Sequence, residues 1–296
     1  MPRQQLTIAA PAKLNLTLDI VGTLPKGYHA VCMVLQSLSL CDQVALSQAE
    51  SGVQIECPAF LPQGQDNIVY RAATEFFAAA GLAPEGVRLT IDKFIPVAAG
   101  LGGGSADAAA ALFALNQWYD CPLSVDRLLE AGAEVGADVP FCLLGGTMLA
   151  EGFGERLRPL PPMPECHLVL VQAGKKDSTG AMYHRYDRVI RKPAAKTPDM
   201  LAALKSGELA QVAGALGNAF DGIANENESE RVKEFFAEDG ALGCTMSGSG
   251  PTVYGLFARE DEALTSARRF TDRGYEPQVC RPVKRGCHNS RQQRKQ

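Results

Sequence analysis

One glycine-rich stretch has the composition of an anion-binding loop. Residues 96–106 read PVAAGLGGGSA, with four glycines from Gly100 to Gly104, and an alanine-rich run follows Ser105. The run predicts a helix over 105–118, whose first turn would expose unpaired N–H groups and partial positive charge. Glycines ahead of such a helix let the backbone approach an anion closely. The stretch is therefore predicted to bind a phosphate chain rather than to form a simple surface turn.

The two best-known phosphate-binding motifs do not describe this loop. No glycine precedes Lys-Ser or Lys-Thr at the Walker A spacing. The dinucleotide fingerprint G-x-G-x-x-G also fails, because Ser105 stands where its last glycine should be. Neither motif therefore assigns the loop, and a glycine-rich surface turn stays the alternative to a phosphate site.

A polar face is predicted on the first strand. In residues 6–22, LTIAAPAKLNLTLDIVG, apolar and polar side chains alternate from Lys13 onward. Because successive side chains of a strand point to opposite faces, the pattern predicts a half-buried strand. The polar positions are Lys13, Asn15, Thr17 and Asp19. On the pattern alone, Lys13 is an ordinary residue of an exposed strand face.

Two further stretches gain meaning only from their context. Asp138 lies among small and apolar neighbours in GADVPF (136–141). Pro140 suits the first turn of a helix, so on this motif alone Asp138 is predicted to be a helix N-cap. Residues 247–251, SGSGP, form a second glycine-rich stretch ahead of a strand, which on its own predicts a turn.

Composition excludes several classes of function. The 296 residues suit two domains, and no run of 18 apolar residues predicts a membrane span. The start, MPRQQLTIAA, lacks the apolar core of a secretory signal, so a cytoplasmic protein is expected. The nine cysteines form no C-x-x-C pair and the four histidines have no metal-ligand spacing. No disulfide framework or transition-metal site is predicted.

The net charge of −4 hides an uneven distribution. Residues 281–296 hold six of the 29 basic residues and no acidic one, which leaves 23 basic against 33 acidic residues in the body. An acidic body is a poor electrostatic match for nucleic acid. The tail is predicted to be disordered, with a nucleic-acid-binding arm as the alternative.

Strands and helices are predicted in both halves of the chain, so the fold class is α+β, or mixed α/β. The proline cluster at 157–165 is the best candidate for a boundary between two domains. Strands are predicted at 43–48, 52–57, 87–93, 167–173, 252–258 and 276–280. Helices are predicted at 67–80, 105–118, 225–238 and 260–272, with a further helix capped by Ser124.

Six motifs in a fixed order connect these features. PAKLNLTLDIVG, GYH, DNIV, PVAAGLGGGSADAA, GADVPF and SGSGPTVYGLF span Pro11 to about Phe257. In this order they resemble the GHMP kinases, which include galactokinase, homoserine kinase and mevalonate kinase. The resemblance is closest to the branch that acts on 4-diphosphocytidyl-2-C-methyl-D-erythritol in the non-mevalonate isoprenoid pathway.

The resemblance implies a fold, a reaction and partners. It implies two domains, at 1–157 and 158–283, with the active site in the cleft between them and a basic tail at 284–296. The reaction would move the γ-phosphoryl group of ATP, with Mg²⁺, to the 2-hydroxyl of the cytidine-linked alcohol, giving its 2-phosphate and ADP. The only partner expected is this small molecule, with no nucleic acid and no membrane; the oligomeric state is not predicted.

The resemblance also implies roles in catalysis and ATP binding. Asp138 would take the proton of the attacking hydroxyl, and Lys13 would hold Asp138 ionised and favour the developing alkoxide. Asp66 and Asn67 match the segment near the adenine, although Asn67 suits a helix cap equally well. The loop would wrap the triphosphate through Pro96, Val97, Ala98, Ala99, Gly100, Leu101, Gly102, Gly103, Gly104, Ser105 and Ala106.

Substrate recognition is carried over in the same way. Tyr28 and His29 of GYH would hold the cytidine end, and Asn15 would contact the substrate near its reactive end. Tyr183, which follows Ser178-Thr179, matches the aromatic residue that stacks on cytosine, with an ordinary helix aromatic as the alternative. No magnesium ligand is assigned.

The chain departs from the family pattern at several positions. Lys26 precedes GYH where an Asp-like residue is usual, Ala30 follows it, and Ala219 replaces the acidic residue of an Asn-Asp motif. Two alternative functions stay open: a kinase for another small alcohol, such as mevalonate or homoserine, and a catalytically inactive nucleotide-binding regulator.

Overall fold

The computed structural model describes residues 5–175, 178–190, 192–223 and 226–290. Within them the strands are β1 (Leu6–Thr23), β2 (His29–Gln48), β3 (Val53–Glu56), β4 (Val87–Asp92), β5 (Thr147–Gly152), β6 (Arg156–Pro159), β7 (His167–Gln172), β8 (Gly217–Asn218), β9 (Gly243–Met246), β10 (Thr252–Phe257), β11 (Gln278–Cys280), β12 (Pro282–Val283) and β13 (His288–Asn289). The helices are α1 (Ile68–Ala80), α2 (Gly103–Trp118), α3 (Val125–Val135), α4 (Val139–Leu144), α5 (Thr179–Arg188), α6 (Thr197–Ser206), α7 (Leu209–Gly214), α8 (Glu226–Glu238) and α9 (Glu260–Asp272). Two sheets with helices against them confirm the α+β class.

The larger sheet is built on two long antiparallel strands. β1 and β2 pair from Leu6 opposite Leu46 to Thr23 opposite His29. The main path of the sheet is β13-β1-β2-β4-β3, and β5, β6, β8 and β12 join at its sides. The sequence predicts only residues 43–48 of β2. The preceding residues are buried with little alternation, which hides a strand from a period-two search.

The polar face of β1 is buried, so the expected half-exposed strand is wrong. Lys13, Asn15, Thr17 and Asp19 are each less than 10% exposed. Residues distant in sequence cover them: the hydroxyls of Thr17 and Thr197 are 2.8 Å apart, and Asp19 accepts a 2.8 Å hydrogen bond from the Thr197 N–H. Alternation separates polar from apolar faces but does not show what covers each one.

Helix α2 packs against β1 and β2, α1, α3 and α4 pack around it, and three predicted helices are confirmed. The alanines of α2 are almost all fully buried, and their small side chains let the helix lie close to β1. Asn67 caps α1 by accepting a 2.9 Å hydrogen bond from the Val69 N–H. Ser124 caps α3 in the same way, through the Arg127 N–H at 3.3 Å.

The smaller sheet has the order β11-β7-β10-β9. Its central strands, β7 and β10, are antiparallel, with His167 opposite Phe257. Helices α8 and α9 cover it, and Phe236 and Phe270 pack with their ring centroids 4.5 Å apart. The predicted helix at 225–238 is found as α8, although residue 225 lies outside the described residues.

The chain returns to the larger sheet near its end, which corrects the expected disordered tail at 284–296. β12 pairs with β2, and β13 pairs with β1 through Ile8 and Ala9. Gly286 and Cys287 donate hydrogen bonds to carbonyls at the end of α4, and Cys287 is buried. Backbone pairing therefore orders 284–290 despite the basic composition; residues 291–296 lie outside the described residues. None of the helices described is long and apolar enough to cross a membrane.

Candidate active site

A cavity of about 550 Å³, here called the cleft, opens between the two sheet systems. β1, the loop from Pro96 to Ser105 and Asp138 line one side of it. Thr179, Tyr183 and the turn at 248–249 line the other side. The predicted residues that line the cleft are Lys13, Asn15, Asp66, Asn67, Asp138, Tyr183 and all of the loop through Ser105. Residues far apart in sequence therefore meet in one cavity.

Lys13 and Asp138 form an ion pair in the cleft. Lys13 Nζ lies 3.6 Å from Asp138 Oδ2, and the two side chains are 7% and 31% exposed. Lys13 also donates a 2.9 Å hydrogen bond to Asn15 Oδ1, which fixes the direction of its ammonium group. Asp138 occupies the N-cap position of α4 but makes no side-chain capping hydrogen bond, so the carboxylate is directed elsewhere. The predicted capping role is therefore not found.

The glycine loop is held between β1 and the second half of the chain. Lys13 N–H donates to Leu101 O at 2.9 Å, and Ser247 Oγ donates to Gly100 O at 3.1 Å. Gly102 has a φ of 69°, and a Cβ there would lie 2.8 Å from Lys13 Cγ. Glycine at 102 thus allows both the left-handed backbone and the close approach of the loop to the lysine.

The loop ends at the start of α2. The first helical residues are Gly103, Gly104 and Ser105, and the first N–H groups of a helix lack intrahelical partners. Ala106 is different: its N–H donates to Gly102 O at 2.8 Å and its side chain is fully buried. Ala106 is not among the residues that line the cleft, and its part in ATP binding stays a prediction.

The second glycine-rich turn, 247–251, supports both the loop and the strand. Asn15 N–H donates to Ser247 Oγ at 3.3 Å, while Asn218 Nδ2 donates to Met246 O and Gly248 O, each at 2.8 Å. Asn218 precedes Ala219, the position at which this chain lacks the carboxylate of the family's Asn-Asp motif. Asn218 therefore retains a structural contact with this turn.

Asp66 and Asn67 line the end of the cleft beside the loop. Asn67 makes the cap of α1 and also donates a 2.9 Å hydrogen bond from Nδ2 to Pro62 O. Its side-chain amide is thus occupied on both sides, which favours the capping interpretation over direct contact with adenine. The neighbouring lining residues Leu61, Pro62 and Val97 make this end of the cleft apolar.

Tyr28 and His29 lie against the wall of the cleft and are not part of its lining as described. Tyr28 is 59% exposed, and its ring packs edge-on against Phe153 with centroids 5.5 Å apart. His29 stacks on Tyr183 with centroids 4.5 Å apart. Phe153 and Tyr183 both line the cleft. Lys26 is one of the departures from the family pattern, and its side chain lies outside the part of the structure that is described.

Tyr183 lies between the aromatic end of the cleft and the Lys13–Asp138 ion pair. Burial and the negative charge of Asp138 raise the pKa of its phenol. Phe220 packs edge-on against it at 5.1 Å. Tyr183 is therefore held by neighbouring rings while it lines the cleft. Phe153 was missed by the sequence analysis, because a single phenylalanine in a turn carries no local signal.

A buried charge cluster lies under the start of α2, and no motif in the sequence marks it. Lys93 bonds to the carboxylates of Asp42 and Asp107, and Asp107 Oδ2 is 2.7 Å from Lys93 Nζ. Burial would lower the pKa of Lys93, but the two carboxylates outweigh it and raise that pKa. Burial, together with Asp42, raises the pKa of Asp107 to about 8 despite Lys93. In the sequence, the sign of this cluster is Asp107, an aspartate within an alanine-rich run.

The cleft suits a magnesium ion that arrives with phosphates rather than a closed protein cage. No group of three or more His, Cys, Asp or Glu residues able to hold a metal occurs in the described part of the chain. Mg²⁺ commonly binds through one or two carboxylates, waters and substrate phosphates. Asp138 has a partly exposed carboxylate in the cleft.

Comparison with known families accounts for most of the chain. The family profile described as the GHMP kinases N terminal domain matches residues 67–146. The profile described as the GHMP kinases C terminal matches residues 200–276. The first match contains the glycine loop and Asp138, and the second contains the 247–251 turn.

Two curated relatives show how far the similarity extends. The chain is 45% identical over 269 residues to the 4-diphosphocytidyl-2-C-methyl-D-erythritol kinase of Pelotomaculum thermopropionicum, which covers 90% of this chain and 93% of that protein. It is 40% identical over 273 residues to the protein of the same name from Geobacter metallireducens, covering 91% and 95%.

Solved structures agree with this relationship. A crystal structure of 4-(cytidine 5'-diphospho)-2C-methyl-D-erythritol kinase superposes with a TM-score of 0.80 at 33% identity, covering 94% of this chain and 99% of that one. Homoserine kinase from Cytophaga hutchinsonii superposes with a TM-score of 0.75 at 19% identity, over 97% and 98% of the two chains. The second similarity shows a shared fold alone.

Proposed function

The chain belongs to the 4-diphosphocytidyl-2-C-methyl-D-erythritol kinases of the GHMP kinase family, and we propose that its cleft carries out the transfer described by that name. The γ-phosphoryl group of ATP passes to the 2-hydroxyl of the cytidine-linked alcohol, giving ADP and the 2-phosphate in the non-mevalonate isoprenoid pathway. The observation that carries the proposal is the Lys13–Asp138 ion pair directly beside the glycine loop.

Asp138 acts as the general base. Its carboxylate accepts the proton of the 2-hydroxyl as the hydroxyl oxygen attacks the γ-phosphorus, while the bond from that phosphorus to the oxygen of ADP breaks. Lys13 lies 3.6 Å away, so its positive charge favours the developing alkoxide. Asn15 holds the ammonium in place through its 2.9 Å hydrogen bond.

The loop positions the triphosphate. Amides of Gly103, Gly104 and Ser105 open the first turn of α2, where the helix dipole also favours negative charge. When bound with ATP, magnesium would neutralise phosphate charge, and Asp138 and the phosphate oxygens would hold it. Phosphoryl transfer depends mainly on such positioning and charge stabilisation.

The two ends of the cleft separate the two substrates. Asp66, Asn67 and the apolar surface around Pro62 receive the nucleoside of ATP, with Asn67 acting chiefly by shaping α1. Tyr28, His29 and Tyr183 receive the cytidine, and Phe153 extends this aromatic surface. The aromatic rings provide faces for stacking a pyrimidine. A kinase that consumes ATP acts where ATP is supplied, and we place this one in the cytoplasm.

Phosphorus-31 NMR of the complete reaction tests the proposal. With ATP, magnesium and the cytidine-linked alcohol, we expect a new phosphomonoester signal to grow while the diphosphate of the alcohol stays intact. Its intensity should equal that of the ADP formed. Release of the γ-phosphate as inorganic phosphate, at the same rate with or without the alcohol, would show hydrolysis and overturn the proposed transfer.

A further inference from the structure

Asp187 makes a contact that the transfer reaction does not explain. It lies in the last turn of α5, and its Oδ1 is 2.8 Å from Nε2 of His29 at the start of β2. The two residues are 158 positions apart and belong to opposite sides of the cleft. The contact therefore joins the turn that carries Tyr28 and His29 to the helix that carries Tyr183.

Helix energetics do not account for an aspartate at this position. The C-terminal end of a helix carries partial negative charge, which favours basic residues and disfavours acidic ones. Arg185 and Arg188 follow this rule in the same turn. Asp187 breaks it, and residues that break a local rule are commonly found where function requires them.

The contact determines which nitrogen of His29 carries a proton. The hydrogen bond to His29 lowers the pKa of Asp187, and nearby His29, Lys192 and His184 add to this. An ionised carboxylate can only accept hydrogen bonds, so Nε2 of His29 must be the protonated donor. The two ring nitrogens point in roughly opposite in-plane directions, which leaves Nδ1 directed away from Asp187.

The aromatic contacts fix the plane of the same ring. His29 stacks on Tyr183 with an interplanar angle of 17°, and Tyr186 contacts it edge-on with centroids 6.4 Å apart. Stacking sets the plane but permits a half-turn of the ring about its Cβ–Cγ bond, which exchanges the positions of ring nitrogens and ring carbons. The hydrogen bond to Asp187 selects one of these two orientations, so the direction of Nδ1 depends on this carboxylate.

We propose that Asp187 is a positioning residue for cytidine recognition, acting through His29. By holding Nε2–H, it presents Nδ1 to the edge of a pyrimidine that lies in the same layer as His29, above Tyr183. The inference rests on the proposed function, because it assigns Asp187 to the cytidine end of that substrate. Asp187 touches neither the reacting hydroxyl nor ATP in this account, so its effect is confined to binding of the cytidine-linked alcohol.

Steady-state kinetics of Asp187→Ala test the inference. We expect the KM for the cytidine-linked alcohol to rise about tenfold, with kcat and the KM for ATP unchanged. Asp187→Asn keeps an oxygen that accepts from Nε2–H, so it should restore most of the affinity. Asp272→Ala, an exposed aspartate at the end of α9, is the matched control and should leave all three constants unchanged.

A double-mutant cycle separates positioning from a purely structural role. If Asp187 acts only through His29, Asp187→Ala should add nothing to the KM increase of His29→Ala. Titration of the single and double variants with CDP should show the same non-additivity in the Kd for CDP, which reports binding without turnover. Additive effects, an unchanged KM for the cytidine-linked alcohol, or an equal loss of ATP affinity would overturn the inference. The proposed function would stand in each of these cases, provided that the wild-type protein turns over. Absence of wild-type turnover would overturn both.

Discussion

Asp138 stands at the start of a helix without capping it, and its carboxylate faces Lys13 instead. We expect Asp138→Asn to lower kcat by roughly 10²–10⁴-fold, because the amide cannot accept the proton of the hydroxyl. Initial rates of ADP release check this.

Asp126→Asn, an exposed aspartate in the first turn of α3, is the control and should keep normal turnover. Near-normal turnover of Asp138→Asn would remove the general base from the mechanism. Lys13 would then contribute only by positioning and by its charge.

Asp107 should make stability depend on pH. Folding raises its pKa from 3.8 to about 8, so the folded chain binds a proton that the unfolded chain has already lost within this window. Stability rises with pH only where the unfolded state binds more protons, so this group lowers stability as the pH rises through the window. Asp107→Asn lacks this titrating carboxyl group, so its stability does not fall in this way. The free energy of unfolding of the variant minus that of wild type should therefore increase between about pH 5 and about pH 8.

Urea unfolding of the two proteins at several pH values measures this difference. Titrating groups that do not contact Asp107 are shared and cancel in the comparison. Curves that stay parallel over the whole range would mean that Asp107 is ionised in the folded chain, and that the Lys93 cluster holds two charged carboxylates.

At the scale of elements, the glycine loop depends on the space beside Lys13. We expect Gly102→Ala to lower the free energy of unfolding by about 1–3 kcal/mol, from left-handed backbone strain and crowding. The added Cβ would lie 2.8 Å from Lys13 Cγ. Gly104→Ala is the matched stability control, because its Cβ would lie 3.7 Å from Ile68 Cγ2 in a helix. Equal unfolding free energies for the two variants would contradict this account of the loop.

Local patterns predicted the elements whose signals are local. The caps at Asn67 and Ser124 and the alanine helix α2 follow from short-range chemistry. Much of β2 does not, because a strand buried on both faces loses its alternation. The burial of the polar face of β1 depends on Ser247 and Thr197, which no window around Lys13 contains.

At the scale of the whole molecule, the cleft is assembled from distant parts of the chain. Lys13, Gly102, Asp138, Tyr183 and Ser249 meet there from both halves of the sequence. Motifs and family resemblance identified four of these five positions. The contacts of Lys93 with Asp42 and Asp107 depend on tertiary packing, so no motif revealed them.

The C-terminal return shows the same limit of sequence reasoning. A basic composition predicts disorder at 284–290, but backbone hydrogen bonds to α4 order this segment. A Cβ on Gly286 would lie 2.4 Å from the carbonyl oxygens of Cys142 and Leu143. The segment thus packs directly against the helix that begins after Asp138, which charge counting does not show.

The central claim is that this cleft phosphorylates a cytidine-linked alcohol. ADP release measured with ATP, magnesium and four alcohols in parallel tests it most directly: 4-diphosphocytidyl-2-C-methyl-D-erythritol, mevalonate, homoserine and galactose. The account predicts turnover with the first alone. Turnover with another alcohol instead would contradict the assignment of Tyr28, His29 and Tyr183 to cytidine, and binding of ATP without any turnover would point to a nucleotide-binding regulator.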